Sequence, residues 1–375
     1  MSEPKDYIER MDNSLNQVFT TALKISFQNP SLALFILRST LRLHKAARSR
    51  RSWERRGIHV PPYLIASITN GCNLHCKGCY ARAHHRPTAP ELPVSRWAEL
   101  FREANELGIS VIMLAGGEPL TRPEILELTR DYPEIIFPVF TNGLLIDQNL
   151  LTELRRRKNI VPVISIEGFK AETDSRRGTG VFDHVRQAIM AVKQSGLFFG
   201  VSITVTRENF DNVTSEQFIG DLTASGSRLF IFVEYTPVEA GTEDLILTPE
   251  QKTALARAMQ IFPTRYRGVF TAFPGDEEAY GGCLAAGRGF VHVSAEGNLE
   301  PCPFAPYSDT NLEHLSLKEA LSSELLQAIR DQHERLKETQ GGCALWENRE
   351  WVGELMKRHE ARGMRHENVG DSMKS

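Results

Sequence analysis

From Tyr63 to Pro237 the chain repeats one pattern: a short run rich in β-branched and aromatic residues, then a stretch of helical period. The runs are YLIASIT, SVIMLAG, IIFPVFTN, IVPVISIEG, FGVSITVT and LFIFVEYTP. Between them lie WAELFREANELG, ILELTRDY, LLTELRRRK, FDHVRQAIMAVKQSG and EQFIGDLTASG. The runs are apolar almost without interruption, as strands are when both faces of a parallel sheet are covered. Strands alternating with helices of this length imply βαβ units. Six such units predict an α/β fold with a partial or complete parallel barrel rather than a short open sheet. Thr121-x-x-Glu124 with Pro123, and Thr248-x-x-Gln251 with Pro249, read as capping boxes.

What flanks this core differs from it. Residues 1–60 hold 11 Lys and Arg against 5 Asp and Glu, leaving 33 against 42 of the chain's 44 and 47. A basic leader, residues 1–58, is thus joined to a mildly acidic body. It reads as two helices broken near Asn29-Pro30, the second running from Leu32 towards Trp53 and growing steadily more basic. It is expected to pack on the barrel, with peripheral membrane contact as the sharper alternative. The start, MSEPKDYIER, lacks the apolar core of a secretory signal, and the expected location is cytoplasmic. No nucleic-acid-binding module is recognisable and the body is acidic, so nucleic acid is not an expected partner. Beyond the barrel, placed at 59–265, residues 266–361 are rich in Gly, Pro and Cys. They contain a hairpin signal that turns at Glu296-Gly297-Asn298. This appendage has too little apolar content to fold well alone. Residues 362–375 read as a disordered tail.

The six cysteines fall into two sets. Cys72, Cys76 and Cys79 form C-x3-C-x2-C directly after the first strand, at the end where barrel sites are built. Three closely spaced thiolates can each ligate a different iron of one four-iron cube and leave its fourth iron open. A zinc knuckle completed by His75, His84 or His85 is the alternative. At the end of the second strand stand Gly116, Gly117, Glu118 and Pro119. The glycines allow close backbone approach, and the Glu118 carboxylate could receive a cationic amino group.

Together, in this order, these motifs resemble the radical S-adenosylmethionine (SAM) enzymes, over roughly residues 60–240. That resemblance implies a partial (β/α)6 TIM barrel, a 4Fe-4S cluster on Cys72, Cys76 and Cys79, and a SAM amino group at Gly116 to Pro119. Thr141-Asn142-Gly143 resembles the family's third-strand TNG. Ser165 and Glu167 resemble a fourth-strand pair near the SAM ribose or carboxylate. The position before the third cysteine, usually aromatic, is Gly78 here; Tyr80 follows instead and is the candidate neighbour of the adenine. The implied chemistry is one-electron cleavage of SAM to a 5′-deoxyadenosyl radical, which takes a hydrogen atom from a substrate. An external donor such as flavodoxin or ferredoxin supplies the electron.

Cys283, Gly297 and Cys302 follow the C-x13-G-x4-C that opens the family's SPASM extension, and NLEHLSLKEAL also resembles it. The dense cysteine run of a complete SPASM domain is missing, and only Cys343 follows. The expected form is a reduced, Twitch-like domain in which Cys283, Cys302 and Cys343 hold one auxiliary Fe-S cluster, a 4Fe-4S cube. His292 and Glu300 are among the candidates for its fourth ligand. Three structural cysteines, or zinc, are the alternatives. The SPASM resemblance suggests a peptide or protein substrate, with a small molecule such as a tetrapyrrole or lipid left open. The rival to an enzyme is a non-catalytic iron–sulfur or zinc protein. Glu234, Tyr235 and Pro237 end the sixth strand, where packing is expected over substrate contact.

Overall fold

The computed structural model describes residues 6–26, 30–84, 89–274, 280–337 and 343–357. Asn29, His85 and the 362–375 segment lie outside these. Two helices open the chain, α1 (Asp6–Ile25) and α2 (Pro30–Glu54). The alternating core then follows in order. It runs β1 (Tyr63–Thr69), α3 (Tyr80–Ala83), α4 (Val94–Leu107), β2 (Val111–Gly116), α5 (Pro123–Leu128), β3 (Phe137–Thr141), α6 (Gln148–Arg156) and β4 (Ile160–Ser165). It continues with α7 (Lys170–Arg177), α8 (Val181–Gln194), β5 (Gly200–Val205), α9 (Phe210–Val213), α10 (Glu216–Ala224), β6 (Leu229–Glu234), α11 (Pro249–Arg265) and β7 (Val269–Phe273). Last come β8 (Phe290–Val293), β9 (Leu299–Glu300), α12 (Leu317–Ala320), α13 (Glu324–Asp331) and α14 (Ala344–Glu347).

The nine strands among the described residues form one sheet in the order β7-β6-β5-β4-β3-β2-β1-β8-β9. The neighbours from β7 to β8 pair parallel; only β9 is antiparallel, to β8. The result is a half-barrel with helices, the partial TIM barrel expected from the strand–helix alternation. Three strands join it from beyond residue 265, β9 through its pairing with β8. β7 adds to β6, and β8 lies along β1 with Ile65 opposite His292. The expected hairpin turns at Gly297, whose φ of 91° is the left-handed value a glycine takes freely. The segment that looked too poor in apolar residues shares the barrel's core: Ala285, Val291, Leu299 and Leu312 pack in one cluster with Leu64, Trp97 and Leu100.

The two sheet faces are covered differently. One meets the crossover helices, with Trp97 and Phe101 of α4, and Val185 and Ile189 of α8, all buried. The other face presents Val111, Val163 and Ile231, and the leader covers it with Leu15, Phe19, Ile36 and Leu43. Burying each such side chain stabilises the fold by about 1.5–3 kcal/mol. The leader lies at the N-terminal ends of the strands. Arg50 of α2, almost fully buried, donates to Gly108 O at 2.5 Å and Ser110 Oγ at 2.9 Å, just ahead of β2, and pairs with Asp12 of α1. Burial depresses its pKa, and Asp12 works against that. The packing expected of the leader is therefore present.

The capping box at Thr248 and Gln251 forms as expected. The one at Thr121 and Glu124 does not. Arg122 precedes α5, and the Thr121 hydroxyl donates to Glu118 O at 2.7 Å. The preceding loop, not the following helix, claims that hydroxyl.

Candidate active site

The strand ends opposite the leader bring the sequence motifs together. β1 runs out at Thr69, and the chain turns through Asn70 and Gly71 into the Cys72–Cys79 loop. Beside it, Gly116 and Gly117 end β2. A Cβ at Gly117 would stand 2.1 Å from Gly71 O, and one at Gly116 2.3 Å from Thr69 O. The glycines are therefore required by the protein's own backbone. Gly117 N donates to Thr69 O at 2.7 Å, and Glu118 N to Gly71 O at 2.8 Å. The GGEP loop is laced to the turn that launches the cysteines.

Glu118 is buried, and its carboxylate ties this loop to β3. It accepts from Leu120 N at 3.1 Å, Thr141 Oγ1 at 2.8 Å and Asn142 N at 2.7 Å. Burial raises its pKa, and those hydrogen bonds oppose the rise. Three of a carboxylate's roughly four lone-pair positions are thus used, leaving about one for an incoming ammonium group. Asn142 also donates to Asn73 Oδ1 at 2.7 Å, so the TNG turn grips the cysteine loop directly. Pro119 is buried in the 3-10 turn that follows.

Glu167, fully buried beyond β4, is saturated by the protein. It accepts from Arg176 Nη1 at 2.8 Å, Arg177 Nε at 2.8 Å and Nη2 at 2.5 Å, and Thr204 N at 3.0 Å. What it presents to the site is two anchored guanidiniums. Arg177 Nη1 stands 4.0 Å from Cys76 Sγ. Burial works against the charge of Arg177, but Glu167 and then Cys76 outweigh it and raise its pKa. Sequence reasoning misses both arginines; the local signal is the Arg176-Arg177-Gly178 run that follows the fourth-strand acid. Ser165 sits half-buried at the end of β4, across from Ser202 of β5.

The donor set suits an iron–sulfur cluster. Cys72 is exposed, Cys79 half-buried and Cys76 buried, and no disulfide joins any of the six cysteines. Burial raises the Cys72 thiol's pKa, and the Glu118 carboxylate adds to the rise. Among the described residues no three His, Cys, Asp or Glu side chains converge into a ready-made single-ion site. A cube puts each thiolate on a separate iron and has no need of that convergence. Beside the loop opens a cavity of about 590 Å³ lined by Asn73, His75, Lys77, Arg82, Arg176 and Glu239, among others.

Gly78 is explained by a neighbour from β6. A Cβ there would lie 2.2 Å from the Tyr235 hydroxyl, and its φ is 65°. Tyr235 fills the space above the loop and donates to Thr242 Oγ1 at 2.7 Å. Glu239 accepts from Gly78 N at 3.1 Å. Gly78→Ala is expected to lower iron incorporation and the thermal midpoint. Adding Tyr235→Ala should return part of both, with a coupling of about 1 kcal/mol or more. Strictly additive effects in the double-mutant cycle would show that the two residues do not compete for space.

Tyr80 sits where the two cysteine sets approach each other. Its ring packs edge-on to Phe304 at 5.5 Å, just past Cys302. Its hydroxyl reaches Ser67 and the Gly116 backbone, with Cys79 and Cys302 both near enough to act on its charge; burial raises its pKa well above the usual phenol value. Ser67 Oγ lies 2.7 Å from His292 Nε2, and His292 Nδ1 lies 2.7 Å from Glu300 Oε2. Both ring nitrogens of His292 are therefore engaged, and its place is in this buried chain rather than as a spare ligand. Cys283 and Cys302 are buried in the core shared with the barrel; Cys343, half-buried, packs against it and precedes α14. Glu234 is buried and pairs with Lys252 at 3.4 Å. No helix among the described residues is long and apolar enough to cross a membrane.

Residues 66–215 match the Radical SAM superfamily. The AdoMet-dependent heme synthase of Methanosarcina barkeri is 26% identical over 317 residues, covering 76% of this chain and 88% of that protein. The mycofactocin maturase MftC of Mycobacterium tuberculosis is 29% identical, covering 67% and 66%. Streptococcus suis SuiB, solved bound to the precursor peptide SuiA, shares the fold with a TM-score of 0.60 at 17% identity, covering 83% and 75%. With the half-barrel and the motifs at its strand ends, these matches identify residues 66–215 as a radical SAM domain and, through relatives named as synthases and maturases, the chain as an enzyme.

Proposed function

We propose that Cys72, Cys76 and Cys79 hold the SAM-binding 4Fe-4S cluster and that Cys283, Cys302 and Cys343 hold an auxiliary one. In this reading the enzyme oxidises a carboxylate-bearing substrate, a peptide or a tetrapyrrole. The observation that carries it is Tyr80, half-buried beside Cys79, with its ring against Phe304 just past Cys302. Two cysteine sets more than 200 residues apart in sequence share this one neighbour. When bound, the cluster and SAM supply a 5′-deoxyadenosyl radical that abstracts hydrogen from the substrate. The chain's residues do the positioning. Gly116 and Gly117 set the loop that receives the SAM amino group, and Glu118 pins it to β3. Arg177, held by Glu167, offsets negative charge at Cys76. Ser165 stands at the β4 end for contact with SAM.

The substrate class rests on charge. Lys77, Arg82 and Arg176 line the cavity beside the loop, with Glu239 as a lining acid. Such a rim favours carboxylates, which peptides and tetrapyrroles both carry. The heme synthase relative, matched over most of its length, favours a tetrapyrrole, and the maturase favours a peptide. An acidic electron donor of the flavodoxin or ferredoxin type would be drawn to the same cations.

Anaerobic reconstitution tests the two-cluster reading. Two cubes predict about eight irons per chain. Replacing Cys283, Cys302 and Cys343 together by Ser should leave about four while SAM cleavage persists. A wild-type value near four, unchanged in the triple variant, would remove the auxiliary cluster.

A further inference from the structure

Helix α2 turns one face to the barrel and leaves the opposite face bare. Ile36, Ser39, Leu43, Ala47 and Arg50 are its buried residues. On the other side, Leu34, Leu37 and Leu41 are 48%, 49% and 67% exposed. Their spacing of three and four residues places them on one line. The remaining exposed large apolar side chains among the described residues, Leu145, Met190, Ile261 and Leu315, sit singly on separate segments. Single exposed leucines need no explanation, but three in a row on one helix mark an interaction face.

The same line continues in charge. Arg38, Lys45 and Arg48 share the exposed face, and none has an ion-pair partner among the described residues. From Pro30 to Trp53 the helix contains no acidic residue at all. By contrast Arg42, on the flank of the helix, is tied to Pro133 O, and the buried Arg50 to Asp12. Leucines flanked by unpaired cations suit a surface that offers both hydrocarbon and negative charge. A second copy of this chain fits poorly, because pairing two such stripes would bring their cations together.

We infer that the Leu34–Leu37–Leu41 stripe and the cations Arg38, Lys45 and Arg48 form a docking face for an anionic lipid bilayer. The leader lies at the N-terminal ends of the strands, and the stripe points away from the barrel. Docking there turns the Cys72–Cys79 loop away from the bilayer, so substrate and electron donor approach from the aqueous side. The inference does not depend on the auxiliary cluster or the substrate class.

The full-length protein is sedimented with vesicles of phosphatidylcholine alone and of phosphatidylcholine with phosphatidylglycerol, at low and high salt. It is expected to bind only the anionic vesicles, and salt should release it as surface charge is screened. Leu34→Gln, Leu37→Gln and Leu41→Gln combined should lower partitioning by at least about tenfold. Arg38→Gln, Lys45→Gln and Arg48→Gln combined should lower it about a hundredfold, from roughly fivefold per cation. Both sets change only exposed side chains, so melting curves should match the wild type. Failure of the wild type to bind anionic vesicles at low salt overturns the inference. So does wild-type binding by the leucine variant. A dimer in solution that the leucine variant dissolves would assign the stripe to a second copy instead.

Discussion

Cys76→Ser is expected to abolish formation of 5′-deoxyadenosine from SAM, a fall of at least roughly 100-fold, or about 2.7 kcal/mol in barrier terms. Cys76 is the most buried thiol of the first set, with the Arg177 guanidinium 4.0 Å from its sulfur. A serine hydroxyl is a far weaker iron ligand than a thiolate, and its loss leaves the cluster with two cysteines. The fold should survive, because the loop is held by Asn73, Gly71 and Gly78 through bonds that do not involve sulfur. The assay is anaerobic reconstitution, reductant, SAM and quantification of the nucleoside. Product at the wild-type rate would show that Cys76 is not a ligand of the SAM-binding cluster.

The second large effect is expected at a position with no functional group. Gly117→Ala would set a methyl 2.1 Å from Gly71 O, 2.6 Å from Gly71 C and 2.8 Å from Asn70 O. All three obstacles are backbone, so no side chain can swing aside. Relief requires parting the loops and losing the bonds from Gly117 N to Thr69 O and from Glu118 N to Gly71 O. The cost is expected near 3 kcal/mol, the upper part of the range for overpacking, together with loss of SAM cleavage. Gly220→Ala is the control. It lies in α10 with only Tyr266 at 4.0 Å, and should be neutral or stabilising by up to about 1 kcal/mol. Equal melting temperatures for the two variants would refute the steric argument.

The residues that were legible in sequence are those whose constraint is local. Strands β1 to β6 are apolar on both sides, and that pattern can be read along the chain. Cys72, Cys76 and Cys79 sit on one short loop, so spacing alone groups them. What could not be read depends on which distant segments become neighbours. VFTAF at 269–273 looks like a strand only once β6 is there to pair with it. Gly78 looks like a lapse from the family pattern until Tyr235, 157 residues on, is seen above it. Glu167 looks like a group free to meet a ligand, and its four donors come from α7 and β5. Thr121 and Glu124 had the right spacing for a cap, but Glu118 O competed for the hydroxyl and won.

The chain from Ser67 through His292 to Glu300 has a consequence for how the molecule is made. During synthesis β1 emerges early and gains β2 soon after, but its other edge has no partner until β8, more than 200 residues later. The entropic cost of such a closure grows only with the logarithm of loop length. The wait is therefore a matter of time more than of free energy, and contacts this distant in sequence are formed slowly. Until then β1 carries an open hydrogen-bonding edge of the kind that recruits other chains, and Ser67 lacks its histidine. A nascent or truncated chain ending near residue 265 would hold every local βα unit and still present that edge. The histidine and glutamate that complete it arrive on the same hairpin as Cys302. The last step in closing the sheet thus also delivers a cysteine of the second set beside Tyr80.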